Sequence, residues 1–202
     1  MSDSPLTIAL TPSLGDYFRA PVGEAIRGRD VDASPATEVY LVQLLSDFAK
    51  PAGDTTSTLT EPVAFLLRDA MEAAGSERFR KLQALGDGLL YGVGFFGHGV
   101  RGVDRKYFLE IGATAYGHAA QMLRTGQGAV SGPDVLDELA RKFARFVEVL
   151  AYVSDWVLAQ SARGQKGLVD LYERWLATGS AVLSNELGQR GVLPMKKSGG
   201  IA

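Results

Sequence analysis

The chain has 202 residues, a length that suits one domain with a buried core. Its hydrophobic fraction of 46%, charged fraction of 22% and formal net charge of −2 are those of an ordinary soluble globular protein, and they do not indicate a general nucleic-acid or anionic-membrane binder. The sequence has no cysteine, which excludes disulfides, thiolate catalysis, iron–sulfur clusters and cysteine-ligated zinc.

The sequence carries no pattern typical of secretion or of a membrane span. Its first residues lack a basic stretch before an apolar run, unlike a signal peptide. The most apolar segment, residues 146–159, contains Glu148 and Asp155 and is shorter than the roughly 20 residues that a bilayer requires. We therefore expect a cytoplasmic protein with no transmembrane segment, in which residues 1–13 form a flexible N-terminal segment.

The first two predicted helices have recognisable start signals. One helix begins near Ser13, and Pro21 is expected to break or kink it, because proline lacks an amide donor and clashes one turn back. The second begins at Ser34, which can cap free amides, and has Pro35 in its first turn. Pro51 is expected to stop this helix.

The middle of the chain predicts three more helices. The first begins at Pro62 and ends near Gly75, and the next opens at Ser76 with apolar residues spaced three and four apart. Beyond Gly86 repeated glycines disfavour its continuation, because each glycine costs about 1 kcal/mol relative to alanine inside a helix. A further helix is capped by Asp104.

The C-terminal half predicts one long helix and two short ones. The long helix spans residues 131–161, and its second half is apolar nearly all round, as expected of a central helix. Residues 168–176 and 180–188 form the short helices, and residues 194–202 form a flexible tail. Because no segment alternates like a strand, the predicted fold is all-α: a single-domain bundle of seven to eight helices with a long central helix, covering residues 14–193.

The centre of the chain is rich in glycine, with seven glycines from Gly86 to Gly102. Residues 92–97 match GxGxxG, but that dinucleotide fingerprint needs a preceding strand, and here a helical pattern precedes it. We interpret the glycines as small residues that let helices approach closely, while Phe95 and Phe96 fill the space around the contact.

The two histidines suggest a ligand pocket. His118 shares a helical stripe with Tyr107, and His98 lies between two glycines. Imidazole can ligate haem, so one hypothesis is a pocket for haem or another apolar molecule; the alternative is a buried structural His118 and a surface His98. No metal site is predicted, since Glu-x-x-His and His-Glu-x-x-His are absent. The predicted ligand-binding residues are Tyr91, Phe95, Phe96, His98, Tyr107 and His118.

Polar residues spaced three and four apart follow one side of the long helix. They could line a pocket or form ordinary ion pairs on a helix surface. Because their neighbours are so apolar, Glu148 and Asp155 are expected to be partly buried, and each then needs a cationic partner from Arg145 or from another helix. The stripe consists of Arg141, Arg145, Glu148, Tyr152 and Asp155.

Three basic residues, Arg101, Arg105 and Lys106, flank the helix start at Asp104. Such a start can hold a phosphate, although Asp104 already occupies the cap. The sequence has no P-loop, no GxSxG and no zinc-ligand spacing, so we predict no catalytic residues and regard an enzyme as the least favoured class.

Several packing motifs within residues 36–120 resemble an uncharacterised family of helical bacterial proteins. The resemblance implies a bacterial cytosolic origin and no particular activity. The motifs are Leu85-Gly86-Asp87, Gly94-Phe95-Phe96, Val103-Asp104, Tyr107 and Gly112-x-x-Ala115-Tyr116-Gly117.

Taken together, these patterns favour a non-enzymatic module that binds a protein partner or associates with a second copy of itself. Its contact surface would be the glycine and phenylalanine corner or the helix at residues 168–176. The alternative is a helical ligand-binding protein, with haem as the candidate cofactor, whose pocket lies near His98 and His118.

Overall fold

The chain forms a bundle of helices, and a computed structural model describes residues 13–50, 62–97, 103–126 and 134–195. Within these ranges there are nine helices and no strand, which confirms the all-α prediction and exceeds the predicted number of helices. The helices are α1 (Leu14–Gly28), α2 (Pro35–Ala49), α3 (Val63–Glu72), α4 (Gly75–Phe95), α5 (Val103–Gly126), α6 (Val135–Arg141), α7 (Phe143–Ser161), α8 (Gly164–Thr178) and α9 (Ala181–Gln189).

Side-chain caps explain where several helices begin. Ser13 and Asp16 form a reciprocal capping box at the start of α1, and the Ser34 hydroxyl accepts a hydrogen bond from the Thr37 amide at the start of α2. Pro35 occupies the first turn of α2, as predicted. These caps satisfy amides that have no partner inside the helix.

Pro21 does not break the first helix, because α1 is continuous from Leu14 to Gly28, and the alternative of a kink there stays a prediction. Pro21 is buried, and so are Phe18 and Val22 beside it. The burial of this apolar face against the rest of the bundle outweighs the one hydrogen bond that proline removes from the helix.

The prediction of one long helix over residues 131–161 is also wrong, because this segment contains two helices. Lys142, with φ −111° and ψ 21°, separates α6 from α7. Its ammonium group donates to the Glu138 carboxylate and to the Asp32 carbonyl, so it ties α6 to the loop before α2. The longest described helix is α5, with 24 residues.

Glycine-mediated packing at the centre of the bundle agrees with the interpretation of the sequence. The expectation that the helix is disfavoured beyond Gly86 is wrong, because α4 continues through its glycines to Phe95, where it packs against both α5 and α7. A Cβ atom added at Gly86 would lie 2.7 Å from the Tyr116 ring, and one at Gly94 would lie 2.6 Å from the Leu150 Cβ. Since real Cβ atoms do not approach so closely, these helices can touch only because the positions lack a side chain.

A second, smaller core lies at the C-terminal end of the bundle. The end of α7 packs with α8 and α9 through side chains that are nearly or completely buried. The α8 helix ends at Gly179, whose φ of 69° is the left-handed conformation that glycine adopts without strain. The buried members of this second core are Ala159, Ala162, Leu171, Trp175, Leu183 and Leu187.

The predictions on membrane spans and on flexible ends concern the described residues only in part. Among the described helices, none combines the length and the apolar composition that a membrane span requires. The segments 1–13 and 194–202 were predicted to be flexible. Residues 1–12 and 196–202 of them lie outside the described residues.

Candidate functional site

Three of the six predicted ligand-binding residues come together at the end of α4. Tyr91 stacks on Phe95 with 5.3 Å between ring centroids, and Phe96 meets both rings edge-on at the same distance. Phe48 of α2 stacks on the other face of Tyr91 at 4.3 Å. Phe95 packs against the core beside the helix contact, as the sequence indicated, whereas Phe96 is 57% exposed and does not fill that space.

None of the other three predicted residues has a described contact with the rings of Tyr91, Phe95 and Phe96. Tyr107 lies on α5, is 40% exposed, and has a ring contact with its neighbour Phe108. His118 is half-buried on α5, and no described residue forms a hydrogen bond with its ring. His98 lies outside the described residues. A haem pocket at this corner therefore stays a prediction.

A buried polar group that sequence reasoning missed connects α2, α4 and α5. The hydroxyls of Tyr40 and Tyr116 both donate to Oδ1 of Asp87, each at 2.6 Å, and Gln83 donates to the Tyr40 oxygen at 3.0 Å. Burial raises the pKa of the Asp87 carboxyl, although the two tyrosine hydrogen bonds oppose this shift. Burial and the nearby carboxylate raise the pKa of both tyrosines.

This tyrosine–aspartate group is suited to holding helices together. Tyr116 is completely buried, so no substrate can reach its hydroxyl without rearrangement of the core. Phenols with raised pKa values stay protonated and continue to donate to Asp87 near neutral pH. We therefore assign the tyrosine–aspartate group a structural role.

A cavity between the ends of several helices is lined by charged and polar residues, which are suited to binding a ligand. It has a volume of about 350 Å³. Three arginines from different parts of the chain line it, together with one aspartate and two hydroxyl residues. We call it the arginine cavity; it is lined by Arg29, Val93, Gly94, Gly97, Arg105, Ala151, Asp155, Arg174, Ala177, Thr178 and Ser180.

One of the three arginines is held by a buried ion pair. The Nε atom of Arg174 lies 2.9 Å from Oδ1 of Asp155, and both side chains are largely buried. Arg174 Nη2 also donates to the Ser154 hydroxyl, which in turn donates to the Phe95 carbonyl at the end of α4. This chain of hydrogen bonds fixes the guanidinium at the cavity wall and neutralises the one carboxylate there.

The other two arginines are less completely paired. Arg29 lies 3.8 Å from Glu148, a carboxylate that it shares with Arg145. The Nε atom of Arg29 is buried and finds no hydrogen-bond acceptor among the described residues. Arg105, in the first turn of α5, forms no ion pair within the described part of the chain. The positive charges of Arg29 and Arg105 are therefore only partly offset by carboxylates of the described residues.

Sequence reasoning identified part of this cavity. Asp155 was expected to be buried with a partner from Arg145 or from another helix, and Arg174 of α8 is that partner. Arg105 was noted only as one of three basic residues beside a helix start whose cap Asp104 occupies, and Arg29 and Arg174 were not noted. No periodicity or motif could have found them, because only the packing of α1 and α8 beside α7 brings them to one cavity.

No family model, curated protein or solved structure matches this chain. The resemblance of residues 36–120 to an uncharacterised family of helical bacterial proteins therefore stays a prediction.

Proposed function

We propose that this protein binds a small organic anion in the arginine cavity. The observation that carries the proposal is that three arginines line one cavity whose single carboxylate is already paired. Ligand binding was also the alternative function drawn from the sequence. The earlier pocket lay near His98 and His118 and held haem or another apolar molecule, whereas the arginine cavity would hold a charged ligand.

Physical chemistry supports an anionic ligand there. A guanidinium presents several N–H donors in a planar fork that matches carboxylate and phosphate oxygens, and such charge-assisted hydrogen bonds are about twice as strong as neutral ones. A volume of about 350 Å³ lies within the range of small-molecule sites, and Val93, Ala151 and Ala177 provide an apolar part of the wall.

Replacement of Arg105 by glutamine is expected to weaken the binding of an organic anion by about tenfold or more, because hydrogen bonds to charged groups contribute about 1.5–3 kcal/mol. Arg105 has no ion-pair partner in the described part of the chain, so the variant should fold normally. Isothermal titration calorimetry at low ionic strength with phenyl phosphate, phenyl sulfate and benzoate measures the effect.

The matched control is Lys106→Gln, which removes the same charge one residue further along α5. The Lys106 side chain is 80% exposed and lies beside Glu110, away from the cavity lining. Its binding should equal that of the unchanged protein. Failure of all three anions to bind, or equal losses in both variants, would contradict the proposal.

A second candidate function, self-association, is favoured by the outer face of α8. Val169 and Leu176 lie seven residues apart on one face of this helix and are 54% and 44% exposed. Leu193 and Met195 are more exposed still, and the Tyr172 hydroxyl donates to the Met195 carbonyl, so this segment lies against α8. An apolar patch is complementary to a second copy of itself across a twofold axis.

If this face forms a dimer, the double variant Val169→Glu/Leu176→Glu should be a monomer, because the symmetric contact would bring like charges together in an apolar interface. Light scattering coupled to size-exclusion chromatography compares its mass with that of the unchanged protein. Ser76→Glu, at an exposed position on α4, is the control for added charge. A monomeric unchanged protein at high concentration would refute self-association.

A further inference from the structure

We infer that the anion of the arginine cavity is doubly charged, namely an organic phosphomonoester with a small apolar body. This inference rests on the proposed function and adds the class of ligand to it. It follows from the charges of the lining residues, from the number of guanidinium groups and from the size and composition of the cavity.

The charge of the lining residues favours a dianion. Three arginines and one aspartate give the lining a formal charge of +2. The Asp155–Arg174 pair is internally neutral, so the excess belongs to Arg29 and Arg105. Glu148 offsets Arg29 only weakly, because it lies 3.8 Å away, is 42% exposed and is shared with Arg145. A monoanion would leave one of these positive charges uncompensated.

The donor chemistry favours phosphate as the head group. A phosphomonoester has three terminal oxygens. One guanidinium can donate two parallel N–H hydrogen bonds to two of them. The lining adds two hydroxyl residues, Thr178 and Ser180, to its three arginines. A carboxylate has only two oxygens and a single charge with which to match this set.

The size of the cavity indicates an organic ester. A cavity of about 150 Å³ holds a benzene molecule, so about 350 Å³ has room for a ring-sized body together with a phosphate. Val93, Ala151 and Ala177 give that body an apolar surface to contact, whereas inorganic phosphate would leave the same surface against water.

The test compares ligands that differ in charge or in head group and keep the same aromatic ring. Phenyl phosphate carries nearly two charges at pH 8, because its second pKa is about 6, while phenyl sulfate and methyl phenyl phosphate carry one. Calorimetry on the full chain should give phenyl phosphate an affinity at least about tenfold above that of either monoanion. In Arg105→Gln this preference should shrink severalfold, whereas Lys106→Gln should keep it.

Each outcome separates the inference from the function on which it rests. Equal affinity for phenyl phosphate and the two monoanions would overturn the dianion while anion binding stands. Tighter binding of phthalate, which carries two charges on separate carboxylates, would overturn the phosphate head group. The absence of binding by every anion tested would overturn the proposed function itself.

Discussion

Substitution of Gly86 by alanine is expected to lower the free energy of unfolding by about 2–3 kcal/mol, with the weakened hydrogen bond between Tyr116 and Asp87 included. The new methyl group would lie 2.7 Å from the ring of Tyr116, a side chain with no room to move because it is completely buried. Overpacking of this kind costs about 1–3 kcal/mol. The higher helix propensity of alanine, about 1 kcal/mol, offsets part of the loss.

The Gly86 substitution also disturbs the tyrosine–aspartate group. The Tyr116 hydroxyl donates to Asp87 at 2.6 Å, and a ring pushed away by the methyl group weakens that bond to a partly buried carboxylate. For a protein of this length the combined loss corresponds to a melting temperature about 10 °C lower. Thermal unfolding followed by circular dichroism measures it.

Gly188→Ala is the matched control for Gly86→Ala. Gly188 lies in α9, and a Cβ atom added there meets nothing within 4 Å. This variant should gain up to about 1 kcal/mol or stay unchanged. If both substitutions had the same effect, the close contact between α4 and α5 would not be the reason for glycine at position 86.

Substitution of Glu138 by glutamine is expected to cost about 3 kcal/mol at pH 7. The Glu138 carboxylate is buried and accepts hydrogen bonds from the Ser34 amide, the Thr37 hydroxyl and the Lys142 ammonium group. All of these partners are donors, so the NH₂ group of glutamine would face donors and leave at least one of them without an acceptor. Urea unfolding at pH 7 measures the loss.

The same carboxylate makes part of the stability depend on pH. Burial alone would raise the pKa of Glu138, but the hydrogen bonds from Ser34, Thr37 and Lys142 lower it to about 2, from an ordinary value of 4.5. The carboxylate therefore contributes stability that is fully present above pH 4.5 and is lost as the pH falls from 4.5 towards 2. With allowance for solvent screening, this contribution is about 2 kcal/mol.

The difference in stability between the unchanged protein and Glu138→Gln should accordingly shrink below pH 4.5. Glu72→Gln, at the exposed end of α3, is the control and should change stability by no more than about 0.5 kcal/mol. A difference that stays constant down to pH 2 would mean that the ionised carboxylate is not what joins α6 to α2.

Local chemistry made much of the fold predictable. The helix start at Ser34 and its proline follow from hydrogen bonds and backbone angles within one turn, and the structure confirms them. The role of the glycines in α4 was also predictable, because a helical pattern with repeated glycines implies a close neighbour. The same local reasoning failed at Pro21, where burial of the helix face outweighs a lost hydrogen bond.

The sequence by itself therefore determined the helical class of this protein, most of its helix starts and the small residues at its central contacts, since these depend on neighbours within one or two turns. Only the tertiary structure decided that Lys142 divides a helix, that Tyr40 and Tyr116 share Asp87, and that Arg29, Arg105 and Arg174 meet at one cavity. The physical reason is that long-range contacts are set by how helix faces pack, and no spacing along the chain records which face meets which.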